Sequence, residues 1–203
     1  MIKWLFFDLG STLIDERECT EYRTQELLKQ KNSPGRDVLE AHMKMYAAMN
    51  RLPYIDTAKE FGLETVKWPK HLERLYDKVP SILEKLRKKY QMGIIANQSL
   101  GTENRLIKFG IRHFFDVVIA SAEAGIEKPD PAIFQMALRD ACCNPEEAYM
   151  IGDRLDNDIA PAAQIGMHTI WVRQGAFAAG NIALIGHEPD VIVDDIENIL
   201  EYL

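Results

Sequence analysis

Cysteine is scarce in this chain: Cys19, Cys142 and Cys143 are the only three in 203 residues. An odd count with one adjacent pair excludes a disulfide framework and any CxxC redox or zinc motif, and fits reduced thiols. Long apolar runs are missing too. No segment approaches the roughly 18 apolar residues of a membrane span. The opening stretch "MIKWLFFDLG" is interrupted at Asp8 and is too short in apolar length for a secretory signal. Positive charge is in the minority, 24 Lys and Arg against 31 Asp and Glu, for a formal charge of -7. That balance excludes a non-specific electrostatic grip on nucleic acid or anionic membranes, although a local site can still be positive toward a small anion. GxGxxG and GxxxxGK[ST] loops do not occur. The five histidines, His42, His71, His113, His168 and His187, show no metal-ligand spacing. A cytoplasmic protein without nucleic-acid or membrane partners is expected; the sequence is silent on oligomeric state.

What is present is a globular composition, 47% hydrophobic, at a length that suits one full domain plus a modest insertion. Six short apolar runs recur: "IKWLFFD", "MGIIAN", "DVVIA", "AYMIGD", "HTIWV" and "DVIVD". They are nearly continuous rather than alternating, as strands covered on both faces are. Helical spacing separates them. Leu83, Leu86 and Tyr90 share one face of "SILEKLRKKY". In "DPAIFQMALRDA", Asp130 is the expected N-cap and Pro131 the first helical residue. The basic run Arg87, Lys88 and Lys89 suits the solvated C-terminal end of a helix. Strand and helix alternate from about residue 80 onward, which predicts an α/β fold with a doubly wound parallel sheet. Residues 16–78 break the rhythm. They read as helices without a convincing strand, a small helical insertion between core segments 1–15 and 79–203. His42 falls on one helical face with Leu39, Met43 and Tyr46, where packing is its expected role.

In an open parallel sheet, ligands gather at the carboxyl ends of the strands. Asp8, Asn97 and Asp153 stand at such ends, Asp156 and Asp158 follow Asp153, and Lys128 precedes a predicted helix. Each alone has a plain structural reading: Asp8 as a turn former, Asp156 as an N-cap, Lys128 as a solvated loop residue, Arg154 as one half of a salt bridge. Together, carboxylates that repel one another call for a cation, and an oxygen-only site suits Mg²⁺. A cation and a lysine then make a site for a phosphoryl group, with a carboxylate available as nucleophile.

Four segments resemble the motifs of the haloacid dehalogenase-like hydrolase superfamily, in its order: "FFDLGSTL", "MGIIANQS", "IEKPDPAIF" and "YMIGDRLDNDIAPAAQIGM". The resemblance implies a Rossmann-like core with a helical cap, and a Mg²⁺-dependent phosphatase acting on a small phosphorylated metabolite. It implies Asp8 as nucleophile and metal ligand, with the Gly10 carbonyl, Asp153 and Asp158 as the other ligands. Lys128 would neutralise charge, and Asn97 with Lys128 would bind phosphate. Two positions depart from the pattern. Phosphatases of this kind carry a second aspartate at the place of Gly10, which protonates the leaving group and then activates water. They carry Ser or Thr at the place of Ala96. Ser11 and Thr12 are too weakly acidic to stand in, so an attenuated enzyme is expected, with a Mg²⁺- and phosphate-binding regulatory protein as the alternative. Carbon–halogen hydrolysis, the superfamily's metal-free branch, leaves the acidic cluster without purpose. Arg17, Tyr22, Arg23, Tyr46 and Arg51 are the candidate substrate contacts in the insertion.

Overall fold

The computed structural model describes residues 1–203. All six apolar runs are strands of one parallel sheet. In chain order they are β1 (Trp4–Phe7), β4 (Gln91–Ala96), β5 (Val117–Ala120), β6 (Ala148–Gly152), β7 (His168–Val172) and β8 (Val191–Val193). β2 (Ile14–Asp15) and β3 (Arg74–Leu75) lie outside that sheet and pair with each other antiparallel. The main sheet runs β5-β4-β1-β6-β7-β8. β1 is therefore central, with Phe7 in register with Ile94 on one side and Ile151 on the other. The chain builds outward from β1 to β5, then returns to start the other half at β6. That reversal places the topological switch point, where such sheets open a crevice, between β1 and β6.

β1 shows why its sequence is apolar throughout. Leu5 and Phe7 face a core of 21 buried residues that includes Ile82, Leu83 and Leu86 of α4 (Val79–Leu86). Trp4 and Phe6 face a second core of 14 residues built on Ile133, Phe134 and Ala137 of α7 (Pro131–Asp140). Each fully buried Leu or Phe side chain contributes about 1.5–3 kcal/mol, so alternation across a twice-covered sheet drives the strand inward on both faces. α7 starts as expected, with the Asp130 side chain accepting from the Ala132 N–H at 2.9 Å and Pro131 in the first turn. Past the end of α4, Arg87 pairs with Asp116, and the Lys89 Nζ donates to the Leu203 carbonyl.

The segment between β1 and α4 contains α1 (Arg17–Leu28), α2 (Arg36–Ala48) and α3 (Pro53–Glu60), packed on Leu27, Leu39, Tyr54, Ala58 and Leu63. Ile14 opposite Leu75 and Asp15 opposite Arg74 close a two-residue ladder at the two ends of this segment. This strand pair is a correction to the all-helical reading of residues 16–78, since Arg74 and Leu75 form half of it. His42 packs, as expected, but half-buried and with a polar partner as well. It bridges α2 to α3 through Glu60 at 2.7 Å and packs edge-on against Phe61.

Candidate active site

Asp8 is the first residue after β1. Its backbone N–H still donates to the Ile151 carbonyl at 2.9 Å, so the strand geometry aims its side chain over the sheet's carboxyl edge. Asp153 follows β6, its carbonyl held by the Trp171 indole N–H at 2.8 Å. The next residues make one π-helical turn, Leu155–Ile159, which folds Asp158 back against the strand end. Gly152 makes that approach possible, because a Cβ there would stand 2.3 Å from the Asp158 Oδ2. The Arg154 N–H donates to the same oxygen at 2.9 Å. Asp156 is no N-cap. Its carboxylate pairs with Arg154, whose guanidinium also lies 4.5 Å from the centre of the Phe177 ring.

Lys128 is buried, not a solvated loop residue. Its Nζ donates to Asp8 Oδ1 at 2.7 Å, to Asp158 Oδ1 at 2.6 Å and to the Ile95 carbonyl at 2.8 Å, which satisfies all three of its N–H bonds. Asn97 positions that lysine. Its Nδ2 donates to the Lys128 carbonyl at 2.8 Å, and its Oδ1 accepts from the Lys128 N–H at 2.7 Å. One amide proton of Asn97 is left for a ligand.

Ligand oxygens of Asp8, Asp153 and Asp158 lie within 4.8 Å of one another, and all three residues are buried. Burial pushes the Asp8 carboxyl up to about 6, against the charge of Lys128 and with that of Asp158. Burial, then the charges of Asp8 and Asp158, hold the Asp153 carboxyl well above the usual range. Burial alone would lower Lys128, but Asp158 and Asp8 outweigh it and keep the ammonium charged. Lys128 reaches two of the carboxylates, while that of Asp153 receives neither an ion pair nor a protein hydrogen bond. One cation facing three buried carboxylates, with an unpartnered oxygen donor among them, is a donor set that fits a hard divalent cation.

The loop after Asp8 is clamped from β7's far end. Gln174 Nε2 donates to the carbonyls of Ser11 and Thr12 at 2.8 and 2.9 Å, and its Oε1 accepts from the Ile196 N–H. Gly10 leaves a gap that another residue fills. A Cβ at position 10 would stand 2.8 Å from Oε1 of Glu16, whose Oε2 accepts from the Ser11 hydroxyl at 3.1 Å. Burial, then the charge of Asp8, pushes the Glu16 carboxyl up to about 7. Nothing in the residue order marks Glu16. Its one signal is the missing side chain at Gly10.

Two cavities meet at this rim. The smaller, about 190 Å³, is lined by Asp8, Gly10, Asn97, Lys128, Asp153 and Asp158 among others. The larger, about 740 Å³, lies under the helical segment and includes Arg23, Tyr54, Trp68 and Tyr76. Ser11, Glu16, Arg154 and Phe177 border both. Of the candidate contacts in the insertion, Arg17 and Arg23 line the larger cavity. Tyr22, Tyr46 and Arg51 do not: Tyr22 is exposed, Tyr46 donates to Glu60, and Arg51 pairs with Asp56. Arg23 lies 3.4 Å from the Tyr54 ring centre, and its buried Nε has no partner.

The fold and this constellation define a class, and comparison with known proteins agrees: the chain belongs to the haloacid dehalogenase-like hydrolase family, whose model matches residues 5–172. Several of its relatives are named as phosphatases. A glyceraldehyde 3-phosphate phosphatase from Methanothermobacter thermautotrophicus is 37% identical over 135 residues, 65% of this chain and 60% of that protein. One from Methanopyrus kandleri is 25% identical over 233 residues, covering 99% of this chain and 97% of its own. The HAD-hydrolase YfnB from Bacillus subtilis, solved bound to magnesium, shares the fold with a TM-score of 0.71 and 20% identity, over 100% of this chain and 98% of its own.

Proposed function

We propose that the chain is a Mg²⁺-dependent phosphomonoesterase that hydrolyses a small phosphorylated metabolite through an aspartyl-phosphate on Asp8. The observation that carries this reading is Lys128, buried between Asp8 and Asp158 with every N–H engaged at the switch point of the sheet. Lys128 fixes the Asp8 carboxylate and brings positive charge to where the phosphoryl oxygens carry negative charge. An Asp8 oxygen attacks phosphorus, the ester P–O bond breaks, and the leaving oxygen takes up a proton and departs as the alcohol. Water then attacks the aspartyl-phosphate, releasing inorganic phosphate and restoring the carboxylate. Asp8, Asp153, Asp158 and the Gly10 carbonyl would hold Mg²⁺, which when bound neutralises phosphoryl charge. Ala96 offers no hydroxyl to the phosphate, so hydrogen bonding to the anion falls to the remaining Asn97 amide proton and backbone groups, with Lys128 contributing its charge.

In this reading residues 16–78 are a cap over a core of 1–15 and 79–203, and the larger cavity receives the organic part of the substrate. The names of the relatives point to a small sugar phosphate as the substrate class. The test is turnover of a phosphate-ester panel with Mg²⁺ and with EDTA, in the wild type and in Asp8→Asn. Turnover that needs Mg²⁺ and disappears in the variant is expected. Undiminished activity in Asp8→Asn would remove the nucleophile and the reading with it. The losses at Gly10 and Ala96 favour one alternative, a binding protein, which would show phosphate- and Mg²⁺-induced stabilisation without turnover.

A further inference from the structure

We infer that Glu16 is the general acid and base of this site, replacing the aspartate that position 10 lacks; the inference rests on the phosphatase reading above. Three observations carry it. The Glu16 carboxyl occupies the volume beside Gly10 into which a side chain at that position would project, 2.8 Å from the place of its Cβ. Glu16 borders both cavities, so it stands where the phosphoryl pocket passes into the space for the leaving group. That junction is where the scissile ester oxygen of a bound substrate must lie. The Ser11 hydroxyl donates to Oε2 and holds the carboxyl against the Gly10 gap, while Oε1, the nearer of the two oxygens to that gap, takes no protein hydrogen bond.

In the first step Asp8 forms the O–P bond, the ester P–O bond breaks, and Glu16 gives its proton to the departing oxygen, so the alcohol leaves neutral. In the second, a water oxygen attacks phosphorus and gives its proton to the Glu16 carboxylate, the Asp8–phosphate bond breaks, and the acid is restored for the next cycle. Glu16 thus stands at the start of the helical segment, whereas Asp8 stands at the end of a strand of the sheet.

The experiment compares wild type, Glu16→Gln, Gly10→Asp/Glu16→Ala (which clears the space that the new aspartate needs) and Asp8→Asn with glycerol 3-phosphate and p-nitrophenyl phosphate as probes, all with Mg²⁺. Loss of a general acid–base group lowers rates by about 10²–10⁴-fold, and that loss is expected for glycerol 3-phosphate in Glu16→Gln. Nitrophenolate leaves without a proton, so the same variant should release a burst of about one per enzyme and then stall at the second step. Intact mass should show phosphate trapped on the chain. The double variant should recover at least about tenfold of the lost rate, because the restored aspartate serves the same oxygen. Turnover of glycerol 3-phosphate in Glu16→Gln within a few-fold of wild type, without a burst, overturns the inference. So does a folded double variant that remains as slow as Glu16→Gln. Activity retained in Asp8→Asn overturns the phosphatase reading instead, whatever Glu16→Gln does.

Discussion

Replacing Asp153 by asparagine should make the metal-free protein more stable and the Mg²⁺-loaded protein less so. The magnitude follows from the cluster. With ligand oxygens within 4.8 Å of one another, each like-charge pair costs about 3.5 kcal/mol at an effective dielectric constant near 20. Asp153 enters two such pairs, with Asp8 and Asp158, and burial adds to the penalty. Attraction to Lys128 and partial protonation return much of this, leaving a net gain of about 2 kcal/mol for the neutral amide, or about 4–8 °C in Tm for a domain of this size. Because the folded protein holds the Asp153 carboxyl well above its ordinary range, the folded state binds this proton more tightly than the unfolded chain. The ionised form is therefore the destabilising one. The advantage of Asp153→Asn should be largest at pH 8 and fade as the pH falls and Asp153 takes up its proton in the wild type. Mg²⁺ reverses the order. At a hundred times its Kd a ligand of the native state stabilises by about 2.7 kcal/mol, and the variant forfeits most of that. Thermal melts at pH 8 in EDTA and in saturating Mg²⁺ should cross. If Asp153→Asn melts below wild type in EDTA, or Mg²⁺ raises both equally, Asp153 is not an unpaired ligand waiting for a cation.

Lys128→Met keeps the length of the side chain but strands Asp8 and Asp158 in a buried site. It should cost about 3–5 kcal/mol by urea unfolding at pH 8 and abolish turnover, and equal stability would show that the ion pairs are idle. Glu16 contributes a pH-dependent term of its own. Its carboxyl rises from 4.5 unfolded to about 7 folded, so the stability it supplies is complete below 4.5 and is lost as the pH rises to 7. The Tm of wild type should therefore fall relative to Glu16→Gln across that window in EDTA, and parallel curves would refute the assignment. Gly152→Ala places a Cβ 2.3 Å from Asp158 Oδ2. It should cost about 1–3 kcal/mol and weaken Mg²⁺-induced stabilisation, both read from melts; a neutral substitution would mean that Asp158 can retreat without loss.

The sheet was legible because each strand is covered on both faces, which forces continuous apolar runs between helical ones. "WLFF" reads as a strand for the same reason that Leu5 and Phe7 enter one core while Trp4 and Phe6 enter another. The rim residues were legible because chemistry at strand ends is local: Asp8 and Asp153 each follow the last residue of a strand. What escaped depends on distance or on side-chain phase. The β2–β3 ladder is two residues long, too short to carry a period. Asn97 spends its amide on a backbone 31 positions away, so a ligand role and a positioning role look alike in sequence. Tyr22, Tyr46 and Arg51 sit in the expected segment but turn away from the cavity. Tyr54, Trp68 and Tyr76 supply its aromatic wall instead.

Gly10 and Gly152 share a logic that a motif comparison hides. Each lacks a side chain where a carboxyl group from elsewhere needs the room, Glu16 at one and Asp158 at the other. The two carboxyls are held differently. Asp158 is a short side chain fixed by the Lys128 ammonium and the Arg154 N–H, so a Cβ at 152 has no slack to exploit. Glu16 is longer and takes one side-chain hydrogen bond, from Ser11, on the residue that caps α1. The charge-neutralising half of the site is therefore rigid and built on the sheet. The proton-transferring half is adjustable and built on the segment that also walls the larger cavity. On the proposed function, a glycine at position 10 thus puts the acid at a helix start instead of a strand end, and with it ties proton transfer to the segment that walls the larger cavity.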